Sequence, residues 1–250
     1  MDENTPLISI VMPAFNAKRF VRESIQSVIN QTYLNWELII VDDNSTDETE
    51  HILREFQKFD SRIVIKKNTL HNKGAAYARN VALNIACGQF IAFLDSDDTW
   101  EKEKLQIQIS TMLKNGYNVS HSAYTRVDEK GEALNVVSAC EKVGYKEQLR
   151  GNKIGNLTGV YNRDSLGIFY QENIGHEDYE MWLRILKEAD SIGIESSLAN
   201  YRVYSNSLSS NKVKAARWHY DILCMQKGLS TISRFYYFLH YIFSAFSKRI

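Results

Sequence analysis

QFIAFLDSDD, residues 89–98, is an apolar run that ends in three carboxylates, those of Asp95, Asp97 and Asp98. A short apolar run that follows Gly88 predicts a strand buried on both faces. Carboxylates crowded at the end of a buried strand repel one another unless a cation or hydrogen bonds neutralise them. Because hard oxygen ligands select Mg²⁺ or Mn²⁺, Asp95 and Asp97 together predict a metal site. The alternative is a turn followed by the N-cap of a helix. For Asp98, a place in the metal site and a role as the cap of the next helix are both open.

Strands and helices alternate on either side of this stretch. Strands are predicted at residues 7–12, 37–41, 63–66 and 89–94, and helices at about 17–30, 46–59 and 74–86. This alternation predicts an α/β fold with a Rossmann-like, mainly parallel central sheet flanked by helices. Because ligands of such sheets bind beyond the carboxyl ends of the strands, three polar clusters should converge on one crevice. The clusters are Phe15-Asn16, Asp42-Asp43 and residues 95–98.

Asp42 and Asp43 follow the second predicted strand. An acidic residue at this point can accept hydrogen bonds from a ribose or from the edge of a base. The alternative is an Asx turn, with a capping box from Ser45 to Glu48 that opens the next helix. The residues alone do not decide between these two interpretations.

Arg79 lies in a predicted helix that is otherwise built from small and apolar residues. A guanidinium group in such surroundings needs a carboxylate or a phosphate as its partner. The structural alternative is an ion pair with one of the aspartates, and pairing with Asp95 would serve both interpretations.

His176, Glu177 and Asp178 precede a helix with a strong apolar face. A carboxylate here, remote in sequence from the first cluster, is a candidate general base that takes the proton from an attacking hydroxyl. The alternative is ordinary helix chemistry, because acidic residues are favoured in the first turn of a helix.

Composition excludes several classes of protein. Lys plus Arg (30) equals Asp plus Glu (30), which argues against a general nucleic-acid binder. The three cysteines are far apart in the sequence and predict neither a disulfide framework nor a zinc site. No signal peptide and no membrane-spanning helix are predicted, so we expect a cytoplasmic protein.

The C-terminus differs in character from the rest of the chain. Residues 235–243 read FYYFLHYIF, with Arg234 before them and Lys248-Arg249 after them. This segment suits a helix lying on a membrane surface, and the alternative is a helix packed on the domain or on a second subunit. We therefore divide the chain into a catalytic domain, residues 1–215, and a helical segment, residues 216–250. Residues 128–150 between the predicted elements are polar, and they predict a hairpin or a flexible loop.

Taken together, these motifs resemble family 2 glycosyltransferases, which have the GT-A fold. The matching segments are residues 11–16, 41–47, 74–80, 95–98 and 177–178, in the order and at the separations usual for that family. The resemblance covers about residues 7–190, and it is greatest to bacterial enzymes that build O-antigen, capsule or teichuronic acid chains. It implies inverting transfer of a sugar (glucose, galactose or an N-acetylhexosamine) from a UDP-sugar to a glycan acceptor, with Mn²⁺ or Mg²⁺ as cofactor.

The resemblance also implies roles for individual residues. Pro13 and Phe15 would line the nucleotide pocket, Asp43 would bind the uracil, and Arg79 would lie beside the pyrophosphate. Asp95 and Ser96 would contact the ribose or sugar, Asp97 would ligate the metal with Asp95 beside it, and Asp98 extends the motif as in relatives with lipid-diphosphate acceptors. Asp178 would be the base with Glu177 as the other candidate, and His176 and Trp182 would shape the acceptor side.

Three other functions are alternatives to the transferase. A nucleotidyltransferase needs a glycine-rich, basic loop after the first strand, but residues 13–17 read PAFNA. An NAD-dependent oxidoreductase needs glycines at the same place. A non-catalytic nucleotide-binding relative would have a broken metal or base motif, whereas all the expected carboxylates are present.

Overall fold

The computed structural model describes residues 5–69, 72–204 and 212–247. The strands within these ranges are β1 (Ile8–Ala14), β2 (Trp36–Asp42), β3 (Ile63–Lys67), β4 (Phe90–Phe93), β5 (Thr99–Trp100), β6 (Val119–Val127), β7 (Ala133–Val137), β8 (Lys142–Val143), β9 (Val160–Asn162) and β10 (Ser191–Arg202). The helices are α1 (Val21–Ile29), α2 (Thr49–Phe59), α3 (Ala75–Ile85), α4 (Lys104–Asn115), α5 (Tyr145–Leu149), α6 (Arg163–Leu166), α7 (Glu177–Glu188), α8 (Lys212–Met225) and α9 (Thr231–Ser247). A short 3₁₀ turn spans Asn156–Thr158.

The first half of the sheet is parallel, as the sequence predicts. Its strands follow the order β3-β2-β1-β4, and each neighbouring pair runs in the same direction. In the register of β1 with β2, Ala14 lies opposite Asp42, so the two strands end side by side. β1 and β2 are buried along almost their whole length because helices cover both faces of the sheet.

The second half of the sheet is mixed. β9 runs antiparallel between β4 and β6, while β10 runs parallel to β6. The polar segment at residues 128–150 contains β7, which pairs antiparallel with β6, so the hairpin is the correct alternative. α5 follows in the same segment. This half of the sheet brings the carboxyl end of β10 to the loop that follows β4.

Alternate residues of β1 enter two apolar cores, one on each face of the sheet. Ile10 and Met12 belong to the core that α1 and α4 cover. Val11 belongs to the core on the other face, with Ala82 of α3 and Trp182 of α7. α3 and α7 are therefore neighbours on one face, and each carries charged residues that the sequence assigns to the site.

Trp182 is fully buried in this second core, at 0% exposure. Its ring packs edge-on against Phe93 and Tyr161, with ring centroids 6.1 and 6.4 Å away. We predicted an acceptor-side role for Trp182, and that prediction is corrected here because a side chain without exposed surface cannot touch an acceptor. The aromatic residue lies on the inner face of α7, where helical spacing directs it to the core.

The backbone passes close to the Trp182 ring at Gly159. A Cβ atom at residue 159 would lie 2.1 Å from the indole ring, although the backbone there (φ −76°, ψ 138°) suits any residue. Gly159→Ala should therefore lower the free energy of unfolding by about 1–3 kcal/mol through overpacking. Gly155→Ala is the matched control, because the backbone is similar and the nearest atoms are 3.4 Å away. Chemical denaturation measures the free energy of unfolding of the two variants. Equal values would refute the close packing of Gly159 against Trp182.

The C-terminal helices α8 and α9 form a pair that packs on α5 and α7. Ile222 and Leu223 of α8 are buried against Leu149 and Leu183, and Tyr237 and Phe238 of α9 pack on the same cluster. The predicted boundary between residues 215 and 216 falls inside α8. Lys248 and Arg249, which we predicted to flank the last helix, lie outside the described residues. No helix in the described ranges is long and apolar enough to cross a membrane.

Candidate active site

The loops after β1 and β2 are joined by hydrogen bonds at the carboxyl edge of the sheet. Asn16 N donates to Ser45 Oγ (2.9 Å), and Asn16 Oδ1 accepts from Thr46 N (2.8 Å). Ser45 also donates to Asp42 Oδ1 through its backbone nitrogen and its hydroxyl. The Asx turn is therefore present, whereas the predicted capping box is absent: α2 begins at Thr49, which donates to Asp47. The first two predicted clusters do meet.

Asp43 connects the end of β2 to the start of α3. Its Oδ1 accepts from Asn68 Nδ2 (2.6 Å), and its Oδ2 accepts from Gly74 N (2.7 Å). Gly74 has φ +125°, a conformation that L side chains rarely adopt, so a glycine is needed at the entry to α3. Asp43 is only 6% exposed, and each carboxylate oxygen keeps one lone pair. Asp43 thus positions α3 in addition to any contact it makes with a base.

The aromatic ring of Phe15 is exposed at this edge of the sheet. It is 57% exposed, whereas Pro13 is buried in β1 opposite Val41. Exposing a phenylalanine directly after a buried strand leaves a flat apolar surface in solvent, which suits stacking by a planar ring. Phe15 therefore stays a candidate for stacking on a base, whereas Pro13 is part of the buried end of β1.

Arg79 links the two acidic clusters that are remote in sequence. Its Nη2 donates to Asp95 Oδ1 (2.5 Å), and its Nη1 lies 3.0 Å from Gln171 Oε1 and 3.5 Å from Glu177 Oε1. Although burial alone would lower the pKa of Arg79, the charges of Asp95 and Glu177 raise it above its usual value. The predicted pairing with Asp95 is confirmed. Its Nε has no hydrogen-bond partner within the part of the chain that the structure describes.

Breaking this bridge should cost stability. Arg79→Gln leaves two carboxylates facing each other, and we expect the free energy of unfolding to fall by about 2–4 kcal/mol. Both carboxylates keep about a third of their side-chain surface exposed (33% for Asp95 and 28% for Glu177), which moderates the loss.

Arg54→Gln is the matched control for the Arg79 variant. It removes an exposed helical pair with Glu50 (2.6 Å) and should change the free energy of unfolding by about 0.5 kcal/mol or less. Thermal or urea unfolding of the two variants makes the comparison. Equal losses would show that the Arg79 bridge contributes no more than a surface pair.

Asp97 and Asp98 sit in a turn closed by Asp98 N donating to Asp95 O (3.2 Å). Burial and the charge of Asp95 raise the pKa of Asp97 above its usual range. Asp98 is 1% exposed, and burial with the charges of Asp97 and Asp95 raises its pKa further. Ser96 lies half-buried in the same turn. The next helix begins only at Lys104, so Asp98 is part of this cluster and does not cap α4.

Arg202 and Tyr204, which the sequence analysis missed, hold this turn in place. Arg202 N donates to Asp98 Oδ1 (2.8 Å), and its Nε donates to Asp97 O (2.9 Å). The Tyr204 hydroxyl donates to Asp97 Oδ2 (2.9 Å). Arg202 is 5% exposed and also pairs with Glu23 of α1 at 2.7 Å. The available signal was an arginine at the end of a strand, whereas Arg79 was indicated by the small and apolar residues of its helix.

The donor atoms present at this turn fit a hard divalent cation. Burial, together with the charge of Asp95, raises the pKa of Asp97, and a cation would relieve both effects. Across residues 5–69, 72–204 and 212–247, no three His, Cys, Asp or Glu side chains are grouped to hold a metal by themselves. Mg²⁺ and similar ions commonly use one or two carboxylates plus waters and substrate phosphates, so a pair is a sufficient protein contribution.

His176, Glu177 and Asp178 form the start of α7. His176 has φ +61°, an uncommon conformation for a residue other than glycine, and its ring contacts Trp218 of α8. Burial raises the pKa of Glu177, while the nearby Arg79 opposes the shift. Asp178 Oδ2 accepts from Asn152 Nδ2 (3.1 Å), and the carboxylate is half-buried. Glu177 therefore faces the charged guanidinium group of Arg79, whereas Asp178 accepts a hydrogen bond from the neutral amide of Asn152.

Comparison with known sequences identifies relatives over most of the chain. Residues 9–165 match the sequence profile of Glycosyl transferase family 2. The chain is 41% identical over 244 residues to "UDP-Glc:alpha-D-GlcNAc-diphosphoundecaprenol beta-1,3-glucosyltransferase WfgD" of Escherichia coli, covering 97% of this chain and 94% of WfgD. The predicted resemblance to bacterial glycosyltransferases is thus confirmed, and the nucleotidyltransferase alternative is set aside.

Two solved structures share the fold. TarS 1-349 of S. aureus, in complex with UDP-GlcNAc, superposes with a TM-score of 0.73 at 20% identity, covering 96% of this chain and 72% of TarS. Mannosyltransferase PcManGT from Pyrobaculum calidifontis, in complex with GDP-Man and Mn²⁺, gives 0.69 at 16% identity, with coverages of 95% and 69%. At these identities the likeness shows the GT-A fold alone. With its matching profile and a relative of nearly equal length, the chain belongs to glycosyltransferase family 2.

Proposed function

We propose that this protein transfers a sugar from a UDP-sugar to a hydroxyl of a lipid-diphosphate-linked glycan, with inversion at the anomeric carbon. The observation that carries the proposal is the Arg79 bridge, which holds Asp95 and Glu177 to one guanidinium group. It brings the carboxylate turn after β4 within reach of the acidic pair that starts α7. A cation-binding group and a base on opposite sides of one crevice suit direct displacement.

The donor side of the crevice is the edge formed by the loops after β1, β2 and β4. Phe15 supplies an exposed ring for the uracil, and Asp43 offers its remaining lone pairs. Asp97, with Asp95 and Ser96 beside it, would hold Mn²⁺ or Mg²⁺, which stabilises the negative charge of the departing diphosphate when bound. The complex of PcManGT with GDP-Man and Mn²⁺ supports a divalent cation as the cofactor.

Asp178 is proposed as the general base. Its carboxylate accepts one hydrogen bond from Asn152, whereas the charge of Glu177 is partly neutralised by Arg79. Asp178 takes the proton from the acceptor hydroxyl while the new bond from that oxygen to the anomeric carbon forms. The bond from the anomeric carbon to the diphosphate breaks on the opposite face, and its electron pair leaves with UDP. His176 borders the same side of the crevice.

The acceptor and location are proposed from the relative at 41% identity. WfgD is named for transfer of glucose from UDP-Glc to an acceptor carried on diphosphoundecaprenol. Glucose is therefore the first donor to test, ahead of galactose and N-acetylhexosamines, and the enzyme would work in the cytoplasm at the inner face of the cell membrane. A homodimer formed through the C-terminal segment is the alternative to membrane contact for that segment.

A screen of UDP-sugars tests the proposed donor. Purified protein is incubated with UDP-glucose, UDP-galactose or UDP-N-acetylglucosamine, a synthetic lipid-diphosphate N-acetylglucosamine acceptor and Mn²⁺, and UDP release is measured. We expect UDP release with UDP-glucose that needs both the acceptor and the metal. Binding of a UDP-sugar without UDP release from any of these donors would favour a non-catalytic nucleotide-binding relative.

A further inference from the structure

A stripe of large apolar side chains runs along the outer face of α9. Its members are Ile232 (83% exposed), Phe235 (59%), Tyr236 (53%), Leu239 (39%) and Phe243 (69%). At 3.6 residues per turn these five positions fall within an arc of about 100°, so they form one continuous surface. We refer to these five residues as the α9 stripe.

The opposite face of α9 is already packed on the protein. Tyr237 and Phe238 contact the cluster formed by α5, α7 and α8, and the Tyr241 ring stacks on His219 of α8 at 4.0 Å. α9 is therefore apolar on both faces, which is typical of a helix that is covered on both sides. Intramolecular packing accounts for the inner face, whereas the side chains of the α9 stripe are 39–83% exposed. Exposed apolar patches of this kind mark membrane or protein interaction sites.

Charge indicates which surface covers the stripe. The whole chain has 30 basic and 30 acidic residues, but no Asp or Glu follows Asp221. From residue 212 onward the sequence has one acidic residue, Asp221, and seven basic ones: Lys212, Lys214, Arg217, Lys227, Arg234, Lys248 and Arg249. A basic segment that also presents aromatic side chains is complementary to an anionic lipid surface.

We propose that the α9 stripe binds the surface of an anionic lipid bilayer, with its aromatic and aliphatic side chains at the headgroup boundary. A second copy of the chain fits less well. A twofold dimer would bring this patch against itself, so two segments with the same basic excess would meet. The α9 stripe, in contrast, gains from both apolar burial and attraction to negative headgroups.

Membrane binding through α9 would orient the site. Tyr179, the residue after Asp178, stacks on His219, which stacks in turn on Tyr241 of α9 (5.0 and 4.0 Å between ring centroids). The helix that carries the proposed base is thus linked to the membrane-binding helix through His219 of α8. This consequence rests on the proposed function, because it gives a lipid-linked acceptor a short path to Asp178. The binding itself does not depend on any reaction.

The test is co-sedimentation of the full chain with large vesicles. Vesicles of phosphatidylcholine alone are compared with vesicles containing equal parts of phosphatidylglycerol, at about 0.1 M and about 1 M salt, where the Debye length falls from about 10 to about 3 Å. We expect binding to the phosphatidylglycerol vesicles that weakens in high salt. Absence of binding, or equal binding to both kinds of vesicle, would overturn the proposal.

A triple variant tests the residues. Phe235→Ser, Leu239→Ser and Phe243→Ser together should reduce vesicle binding at least about tenfold, because the apolar contribution is lost. The matched control is Leu134→Ser with Val136→Ser, since these β7 side chains are 56% and 58% exposed but lie far from α9 in sequence. The control should bind vesicles as the original chain does, and equal losses in both variants would contradict the proposal.

Two further measurements separate the outcomes. Sedimentation velocity without lipid should show a monomer, and a dimer that the triple variant dissociates would assign the stripe to a second copy instead. UDP binding should be unchanged in the triple variant, which establishes that it folds. If the variant does not fold, the dependence of vesicle binding on lipid charge and salt in the original chain still tests the proposal. If the original chain binds vesicles but not UDP, the proposed function is refuted and the membrane inference stands. If it binds UDP but not the phosphatidylglycerol vesicles, the membrane inference is refuted and the proposed function stands.

Discussion

Asp97→Ala is expected to remove metal-dependent turnover, with a loss on the order of 10³-fold or more. The physical reason is that a divalent cation provides several kcal/mol of stabilisation to the charge that develops on the departing diphosphate. Burial and the charge of Asp95 raise the pKa of Asp97, so a bound cation would stabilise its ionised form. The measurement is the rate of UDP release as Mn²⁺ is titrated, together with UDP affinity with and without the metal.

Tyr204→Phe is a useful control for this result. It removes the hydroxyl that donates to Asp97 Oδ2 (2.9 Å) but keeps the carboxylate. We expect a modest loss for Tyr204→Phe that extra Mn²⁺ reduces, because the ligand is still present. Asp97→Ala should not be rescued in this way. Unchanged turnover and unchanged metal dependence in Asp97→Ala would show that the metal assignment is wrong.

Asp178→Asn is expected to preserve UDP binding and to lower transfer by about 10²–10⁴-fold. An amide cannot accept the proton of the acceptor hydroxyl, and general base catalysis typically contributes a factor of this size. The substitution keeps the shape of the side chain, and the amide can still accept from Asn152. The readouts are UDP affinity by calorimetry and the rate of transfer to the lipid-linked acceptor.

Glu177→Gln separates the two candidates for the base. Glu177 lies 3.5 Å from Arg79, and its amide counterpart can still accept a hydrogen bond from the guanidinium. We expect less than about a tenfold loss of transfer, because Asp178 remains to take the proton. If Glu177→Gln loses transfer while Asp178→Asn retains it, the base is Glu177 and the assignment is reversed.

The strand-end clusters could be predicted from sequence because two regularities coincide there. Buried parallel strands are apolar along their length, so the first polar residues mark the carboxyl edge. That rule placed Asp43 and Asp95 correctly, and the small-residue helix indicated that Arg79 needed an acidic partner. The convergence of these residues follows from the parallel register, in which Ala14 lies opposite Asp42.

The supporting residues could not be predicted, because their partners are distant in the chain. Arg202 reaches the turn at Asp97 and Asp98 from more than a hundred positions away, through a strand that enters the sheet by mixed pairing. Trp182 was misassigned because proximity in sequence to Asp178 does not show which face of a helix a side chain occupies. Helical spacing with Ile185 and Leu186 directs the ring to the inner face of α7, where it packs against Gly159.

The stereochemistry of the transferred sugar tests the central claim most directly. The protein is incubated with UDP-glucose, Mn²⁺ and the lipid-diphosphate acceptor, and the anomeric configuration of the product is determined by NMR. Direct displacement, with Asp178 as the base on the face opposite UDP, predicts a product whose anomeric configuration is inverted relative to the donor. A product with retained configuration would contradict direct displacement with Asp178 as the base.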